Sequence, residues 1–451
     1  MPFIPHTQND VDAMLETLDI DSIATLYDEV PSSLPAADID AIPQGMTELE
    51  VTRLMEERAP PVFSGSCFIG AGAYEHYSPS AVWDIVGRGE FYTAYTPYQA
   101  EASQGNLQLI YEYQTIMTQL TDMDVSNASL YDGASSLAEA ALMAIRIKRR
   151  RAQRVVVPAT INPIYRKVLT SILLPQGVVI EELPYCAVTG TIVVDALAKI
   201  NTEGLAAIIL PQPNFFGCLE QVDALTDAAH ELGALVIGLV NPMALSLLKP
   251  PGQWGANGAD IVCGEGQPMG IPLASGGPYF GLLCCKKQFV RQMPGRIVGR
   301  TLDLDGNVGY TLTLQAREQH IRRAKATSNI CTNQGLMVTA STIFMSLMGA
   351  RGLRDVAAKC HDNARYLKER LISVAGVKAV FDTPYFHEFV LRIDKPIDEL
   401  LTQLTDFGIQ GGYSLATEYP ELHDCILVCA TETKTQQDLE RYQQLLARCL
   451  V

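Results

Sequence analysis

Between residues 62 and 287 the chain alternates short continuous apolar runs with stretches in which apolar residues recur every three or four positions. Continuous runs of strand length suit strands buried on both faces, and the intervening pattern suits crossover helices. The segment therefore predicts βαβ units around a mainly parallel sheet. Strands are expected at 154–157, 177–183, 205–210, 234–240, 260–263 and 278–284, with crossover helices at 135–147 and 222–232. Upstream, residues 11–18, 20–27 and 47–57 read as amphipathic helices separated by Pro31, Pro35 and Pro43, with Glu48 and Glu50 in the last helix's first turn. They have too little apolar surface for a core of their own and are expected to lie against a larger body or another subunit. Downstream, a helical pattern at 336–347 gives way to an α+β order. Helices are expected at 356–374, 397–407 and 435–449 and strands at 377–381, 386–393 and 425–430, with Gly408, Gly411 and Gly412 marking a turn. The organisation expected is an N-terminal helical arm (1–60), a large α/β domain (61–335) and a small C-terminal α+β domain (336–451).

Composition narrows the function classes. Of 451 residues, 48% are hydrophobic and 19% charged, which excludes a disordered chain, and the net charge of −16 argues against nucleic acid or an anionic membrane surface as partner. The apolar stretch 232–248 is interrupted by Asn241 and Pro242, so no membrane span is expected. Residues 1–10 lack the basic-then-apolar pattern of a secretion signal, and a cytoplasmic location is the expectation. The 11 cysteines have no C-x-x-C or Cys/His ligand spacing and read as reduced thiols, with no metal site expected.

Four segments carry candidate chemistry. Residues 68–77 combine Gly70 and Gly72 with His76 between Tyr74 and Tyr77. Residues 91–105 hold Tyr92, Tyr95, Tyr98, Gln99, Glu101 and Gln104 around Pro97, a composition that suits a polar ligand pocket and also a subunit interface. Residues 130–136 precede an apolar helix, where amides ordinarily hold a phosphate, but Asp132 there reads better as a helix cap. From 294 to 332, Arg317, Arg322, Arg323 and Lys325 predict either an anion-facing surface or an ion-pair network with Glu318. The basic run 148–151 reads as a solvated helix end.

Taken together, Gly72-Ala-Tyr-x-His-Tyr77, Tyr95-Thr-Pro-Tyr-Gln99, Pro213-Asn-Phe-Phe-Gly217, Gly264-Glu-Gly-Gln-Pro268, Arg317-Glu-Gln-His-Ile-Arg-Arg323 and Lys325-Ala-Thr-Ser-Asn-Ile-Cys-Thr332 resemble the glycine dehydrogenase (decarboxylating) P-proteins of the glycine cleavage system. The likeness is greater to the alpha subunits, or subunit 1, of the split form, and runs from about Phe3 to the end. The resemblance implies a pyridoxal-phosphate (PLP) fold type I architecture in an α2β2 heterotetramer. It also implies decarboxylation of glycine on PLP, with the aminomethyl group passed to the lipoyl arm of the H-protein in a system shared with the T-protein and L-protein. It places the Schiff-base lysine in the PLP-bearing subunit 2.

The residues of this chain agree with that last implication. A fold type I lysine should follow the strand at 260–263, yet the turn there is Gly264-Glu-Gly-Gln-Pro268, and the next lysines are Lys286 and Lys287. The run 234–240 ends in Asn241-Pro242 where the resemblance implies Asp-Pro, and a neutral amide cannot pair with a pyridinium. The expectation is a degenerate subunit that completes the site of a PLP-bearing partner, with no acid or base role of its own. The candidates for lining the glycine pocket are Tyr95, Tyr98, Gln99, Gln104, His76, Tyr77, Asn329 and Thr332. A non-catalytic scaffold, or a self-sufficient PLP aminotransferase or decarboxylase using another lysine, are the alternatives.

Overall fold

In the computed structural model, seven strands form the central sheet: β1 Val125–Ser126, β2 Arg154–Pro158, β3 Val179–Leu183, β4 Leu205–Gln212, β5 Leu235–Val240, β6 Ile261–Glu265 and β7 Gly281–Cys285. Their order is β1-β7-β6-β5-β4-β2-β3. The five strands β2 to β6 run parallel, while β7 is antiparallel to both β6 and β1. Every residue of β4 and β5 is buried, which is why these strands are unbroken apolar runs rather than alternating ones. The strands expected from the sequence are all present, with ends shifted by one to three residues. Residues 5–31, 33–35, 41–59, 63–149, 151–274 and 276–450 are described. Arg150 of the basic run, and the arm boundary expected at residues 60 and 61, lie outside them.

The chain divides into two compact units, Met1–Phe63 and Ser64–Val451. In the first, helices Gln8–Leu18 and Glu48–Arg58 each begin with a reciprocal cap, Thr7 with Asp10 and Thr47 with Glu50. The stretch expected as a helix at 20–27 is a 3-10 turn, Ile23–Tyr27.

The second unit holds elements beyond those expected, chief among them two helices and a hairpin. Helix Gln104–Thr121 buries Leu107, Ile110, Tyr113 and Met117, helix Pro163–Leu173 buries Leu169 and Leu173, and β8 Ile297–Leu302 pairs antiparallel with β9 Val308–Thr313. The hairpin turns at Asp303, whose Oδ1 accepts the amides of Asp305 and Asn307, a local device that is hidden within a charge-rich segment.

The helices expected at 336–347 and 356–374 form one run, Gly335–Ile372, broken only at Gly349, which stands at φ 60°. By length and composition this run could cross a membrane, but Met337, Val338, Ala340, Phe344 and Met345 of its apolar half are buried in the protein core. Its second half, with helices Ile397–Asp406 and Gln436–Cys449, backs an antiparallel sheet of order β10-β11-β13-β12, where β10 is Val377–Ala379, β11 Glu388–Ile393, β12 Tyr413–Ser414 and β13 Cys425–Cys429. Ser66–Cys67 pairs in parallel with Ile409–Gln410 as a separate two-stranded ladder, and the Phe68 carbonyl accepts the Cys429 amide at 2.9 Å, so the glycine-rich stretch that follows leaves from beside the small sheet.

Candidate functional site

The carboxyl ends of parallel strands are where α/β sheets ordinarily take ligands. Here that edge is closed by the protein's own groups. Helix Gly133–Ile147 points its N-terminus at the end of β6, and Asp132 caps it, accepting the Ser135 amide at 2.7 Å. Glu265, the last residue of β6, puts Oε2 2.9 Å from the Gly133 amide and Oε1 3.0 Å from the Gln267 amide. Two carboxyl groups thus occupy the place a phosphate would take, and a phosphate dianion beside the Asp132 charge would be repelled.

The adjoining cleft, lined by Tyr74, Asn162, Tyr165, Asn214, Asn241 and Glu265, has a volume of ≈ 70 Å³. An enclosed cavity of about 150 Å³ holds a benzene ring, and this cleft is narrower than that. Asn241 uses Oδ1 to accept the Met243 amide at 2.9 Å, and its buried Nδ2 has no partner. The nearby lysines are no help: β7 runs back from this edge, so Lys286 lies at the opposite one, with Nζ 2.7 Å from Asp260. The residues at this strand edge therefore do not fit pyridoxal phosphate.

Burial, reinforced by the Asp132 charge, pushes the Glu265 carboxyl up to about 7. A carboxyl raised in the folded state stabilises the fold below its unfolded pKa, and that contribution is lost as pH rises through the folded value. Stability lost between pH ~4.5 and ~7 should reach up to ~3 kcal/mol for this group. Glu265→Gln should therefore gain stability relative to the wild type as pH is raised from about 5 to about 8, on top of a constant offset from the altered hydrogen bonds. Urea midpoints across that range measure the difference, and a pH-independent difference would refute the assignment.

A strap from beside the small sheet crosses to this edge. The Ala71 amide donates to Glu388 Oε1 and the Tyr74 hydroxyl to Glu388 Oε2, each at 2.8 Å, while the Tyr74 amide donates to Gln267 Oε1. Gln267 returns Nε2 to the Tyr74 carbonyl at 2.7 Å, so the Gly-Ala-Tyr and Gly-Glu-Gly-Gln-Pro motifs are one hydrogen-bonded unit. In the third motif, Asn214 Oδ1 accepts the amides of Phe216 and Cys218, and its Nδ2 reaches Glu220. Phe215 and Phe216 pack with Phe381 and Tyr419. Within this chain these motif residues are held by internal hydrogen bonds and packing.

The predicted pocket residues fall into separate groups. Tyr98 and Thr332 are brought together by a residue the sequence reading passed over, Arg296, which is only 3% exposed. Its Nη2 donates to the Tyr98 hydroxyl at 2.9 Å and its Nη1 to Thr332 Oγ1 at 2.6 Å. The guanidinium carbon stands 5.3 Å from the Tyr98 ring centre, and His320 meets that ring edge-on at 5.4 Å. Tyr98 stays half exposed and Tyr95 is 78% exposed.

Gln99 sits exposed at the start of a short 3-10 turn. Gln104 is committed at both ends of its amide, Oε1 accepting the Tyr310 amide and Nε2 donating to the Tyr310 carbonyl. Asn329 lies exposed at the rim of a cavity of ≈ 570 Å³ that also contains Tyr131, Glu139 and Ser328. His76 is buried against Glu432, at 2.8 Å, whereas the Tyr77 ring is exposed.

The cation cluster divides: Arg317 turns inward beside Glu318, while Arg322, Arg323 and Lys325 stay exposed. Glu318 lies 3.6 Å from both Arg296 and His320, while Arg317 donates to the carbonyls of Met293, Gly295 and Leu314. Arg322 donates to the Ala316 carbonyl, and Arg323 and Lys325 are exposed. The cue for Arg296 was its position in Pro294-Gly-Arg-Ile-Val-Gly299, but nothing local separates it from a surface arginine.

Residues 1–446 match the family model described as "Glycine cleavage system P-protein". A protein of Coxiella burnetii named "Probable glycine dehydrogenase (decarboxylating) subunit 1" is 62% identical over 446 residues, 99% of either chain. Among solved structures, a glycine decarboxylase (P-protein) of the glycine cleavage system, in inhibitor-bound form, superposes with a TM-score of 0.87 at 37% identity, covering 100% of both chains. A Lactobacillus brevis glutamate decarboxylase superposes with a TM-score of 0.69 at 14% identity, covering 95% of this chain and 96% of that one. At that identity the likeness speaks for the fold alone, the PLP-dependent fold type I.

Proposed function

Because the chain belongs to the glycine cleavage system P-protein family, we propose that it is the completing half of a split glycine decarboxylase and lends an ordered surface to a PLP-bearing partner subunit. The enzyme role is exercised within a complex. The observation that carries the proposal is the pairing of a self-filled strand edge with an aromatic surface held from beneath. Glu265 and Asp132 take the phosphate seat and no lysine stands at the β6 turn, while buried Arg296 fixes a half-exposed Tyr98. A chain that cannot hold the cofactor, yet rigidly presents a tyrosine, suits a site shared across an interface.

In this reading the partner binds PLP, which supplies the electron sink for decarboxylation when bound. Tyr98, with Tyr95 beside it in sequence, closes the glycine pocket, and Thr332 helps hold its back wall through Arg296. This chain contributes orientation and exclusion of water. The assembly is α2β2, the lipoylated H-protein takes the aminomethyl group, the T-protein and L-protein act downstream, and the location is cytoplasmic.

Visible absorbance with borohydride trapping tests the assignment. The chain alone with PLP should give no aldimine band, and the complex should give a band with the modified lysine only in the partner. A labelled lysine in this chain would instead make it a self-sufficient enzyme. Tyr98→Phe should lower turnover of the assembled enzyme by about tenfold or more, because the ring loses its anchor to Arg296. Unchanged turnover would favour a scaffold that never meets glycine.

A further inference from the structure

On the far side of the Tyr74 strap, three elements distant in sequence bring together an imidazole, a thiol and a carboxylate. His76 comes from the strap, Cys360 from helix Gly335–Ile372, and Glu432 from the turn after β13. Glu432 Oε2 lies 2.8 Å from His76 Nδ1 and 3.2 Å from Cys360 Sγ, and all three atoms fall within 4.8 Å of one another. The His76 and Glu432 side chains are 2% and 12% exposed, and Cys360 is fully buried.

We propose that His76 Nδ1, Cys360 Sγ and Glu432 Oε2 form a binding site for a zinc-class divalent cation, with water as fourth ligand. One nitrogen, one sulfur and one carboxylate oxygen are the donor types that zinc selects. Bond lengths of about 2.0–2.3 Å would set the ligands about 3.3–3.8 Å apart, so the two contacts to Glu432 would open by several tenths of an ångström, and His76 Nδ1 and Cys360 Sγ, which lie within 4.8 Å, would close by up to about 1 Å.

Charge favours the exchange. The cation with one thiolate, one carboxylate and a neutral imidazole sums to zero, the condition under which a buried ion is tolerated. The thiol proton leaves to solvent, and an imidazole that coordinates through Nδ1 carries its proton on Nε2, a nitrogen that is buried and without a partner. Glu432 Oε1 already accepts the Tyr77 amide at 2.8 Å, which orients Oε2 toward the other two ligands.

The groups facing His76 add no competing charge. His387, stacked on it with ring centres 6.4 Å apart, is fully buried with both nitrogens unpartnered, and burial holds it neutral. The Tyr74 ring lies 6.5 Å away on another side. Bound metal would clamp the strap to the long helix and to the small sheet, the three parts that frame the β6 edge.

Cobalt(II) and zinc are the probes, used on the full chain in complex with its partner subunit. The expected result is one equivalent of zinc retained per chain after dialysis, and a thiolate-to-cobalt charge-transfer band on substitution with cobalt. Cys360→Ser should abolish the band and weaken zinc binding by tenfold or more, and Glu432→Gln should weaken it while leaving the fold intact. Cys331→Ser, at an exposed thiol, should change neither. Absence of a thiolate band in the wild type, or a band that survives Cys360→Ser, would overturn the proposal.

Discussion

Arg296→Met is expected to lower stability by about 3–5 kcal/mol, because it strips one partner from a buried ion pair. Glu318, whose side chain is 8% exposed, would lose the guanidinium at 3.6 Å and keep His320, itself partly exposed, and the charge of Arg317. Tyr98 and Thr332 would each lose a charged donor in the same step. Where the variant still folds and assembles, turnover should fall by about 10–100-fold, since a displaced positioning group typically has that effect. Urea titration and steady-state rates of the complex give the two readouts.

The second site separates charge from placement. Arg296→Met with Glu318→Gln should recover much of the stability, as no carboxylate is then left buried without its guanidinium, but little of the turnover. Recovery of both would mean that Tyr98 needs no anchor.

Gly217→Ala should have an effect of comparable size and a different origin. Gly217 sits at φ 81°, and a Cβ there would fall inside contact distance of the Glu388 carbonyl oxygen. Nothing there can give way cheaply: the Gly217 carbonyl accepts the Phe386 amide at 3.2 Å, and Glu388 belongs to β11 and anchors Ala71 and Tyr74. Left-handed strain of about 1–2 kcal/mol and overpacking of about 1–3 kcal/mol act together. The variant should unfold at a markedly lower urea midpoint, with the strap residues losing amide-exchange protection first.

The two variants also show why parts of the site were unreadable. Within the motifs, the chemistry that matters is local or excluded: Asp132 reads as a cap from sequence because capping depends on the three residues that follow it. Arg296 reads as nothing in particular, because its partners at 98, 318 and 332 are joined to it only by folding.

Helix Gln104–Thr121 escaped for a related reason. Its start lies in the tyrosine-rich loop, and it has neither a side-chain cap nor an acidic first turn to announce it. The cluster of His76, Cys360 and Glu432 has no ligand spacing at all, since its three members come from three separate elements.

What the sequence determined by itself is the part governed by short-range periodicity and by absence. Continuous apolar runs specify buried parallel strands, because the pattern of burial along a strand is written residue by residue. The missing lysine after β6 and the amide at 241 are chemical facts that no folding can alter. Tertiary structure alone decided what fills the vacant seat, which tyrosine is anchored, and which buried groups meet. Those depend on groups that approach to within 3–4 Å across large sequence separations, and the free energy of such contacts is set by burial and partner geometry rather than by neighbours along the chain.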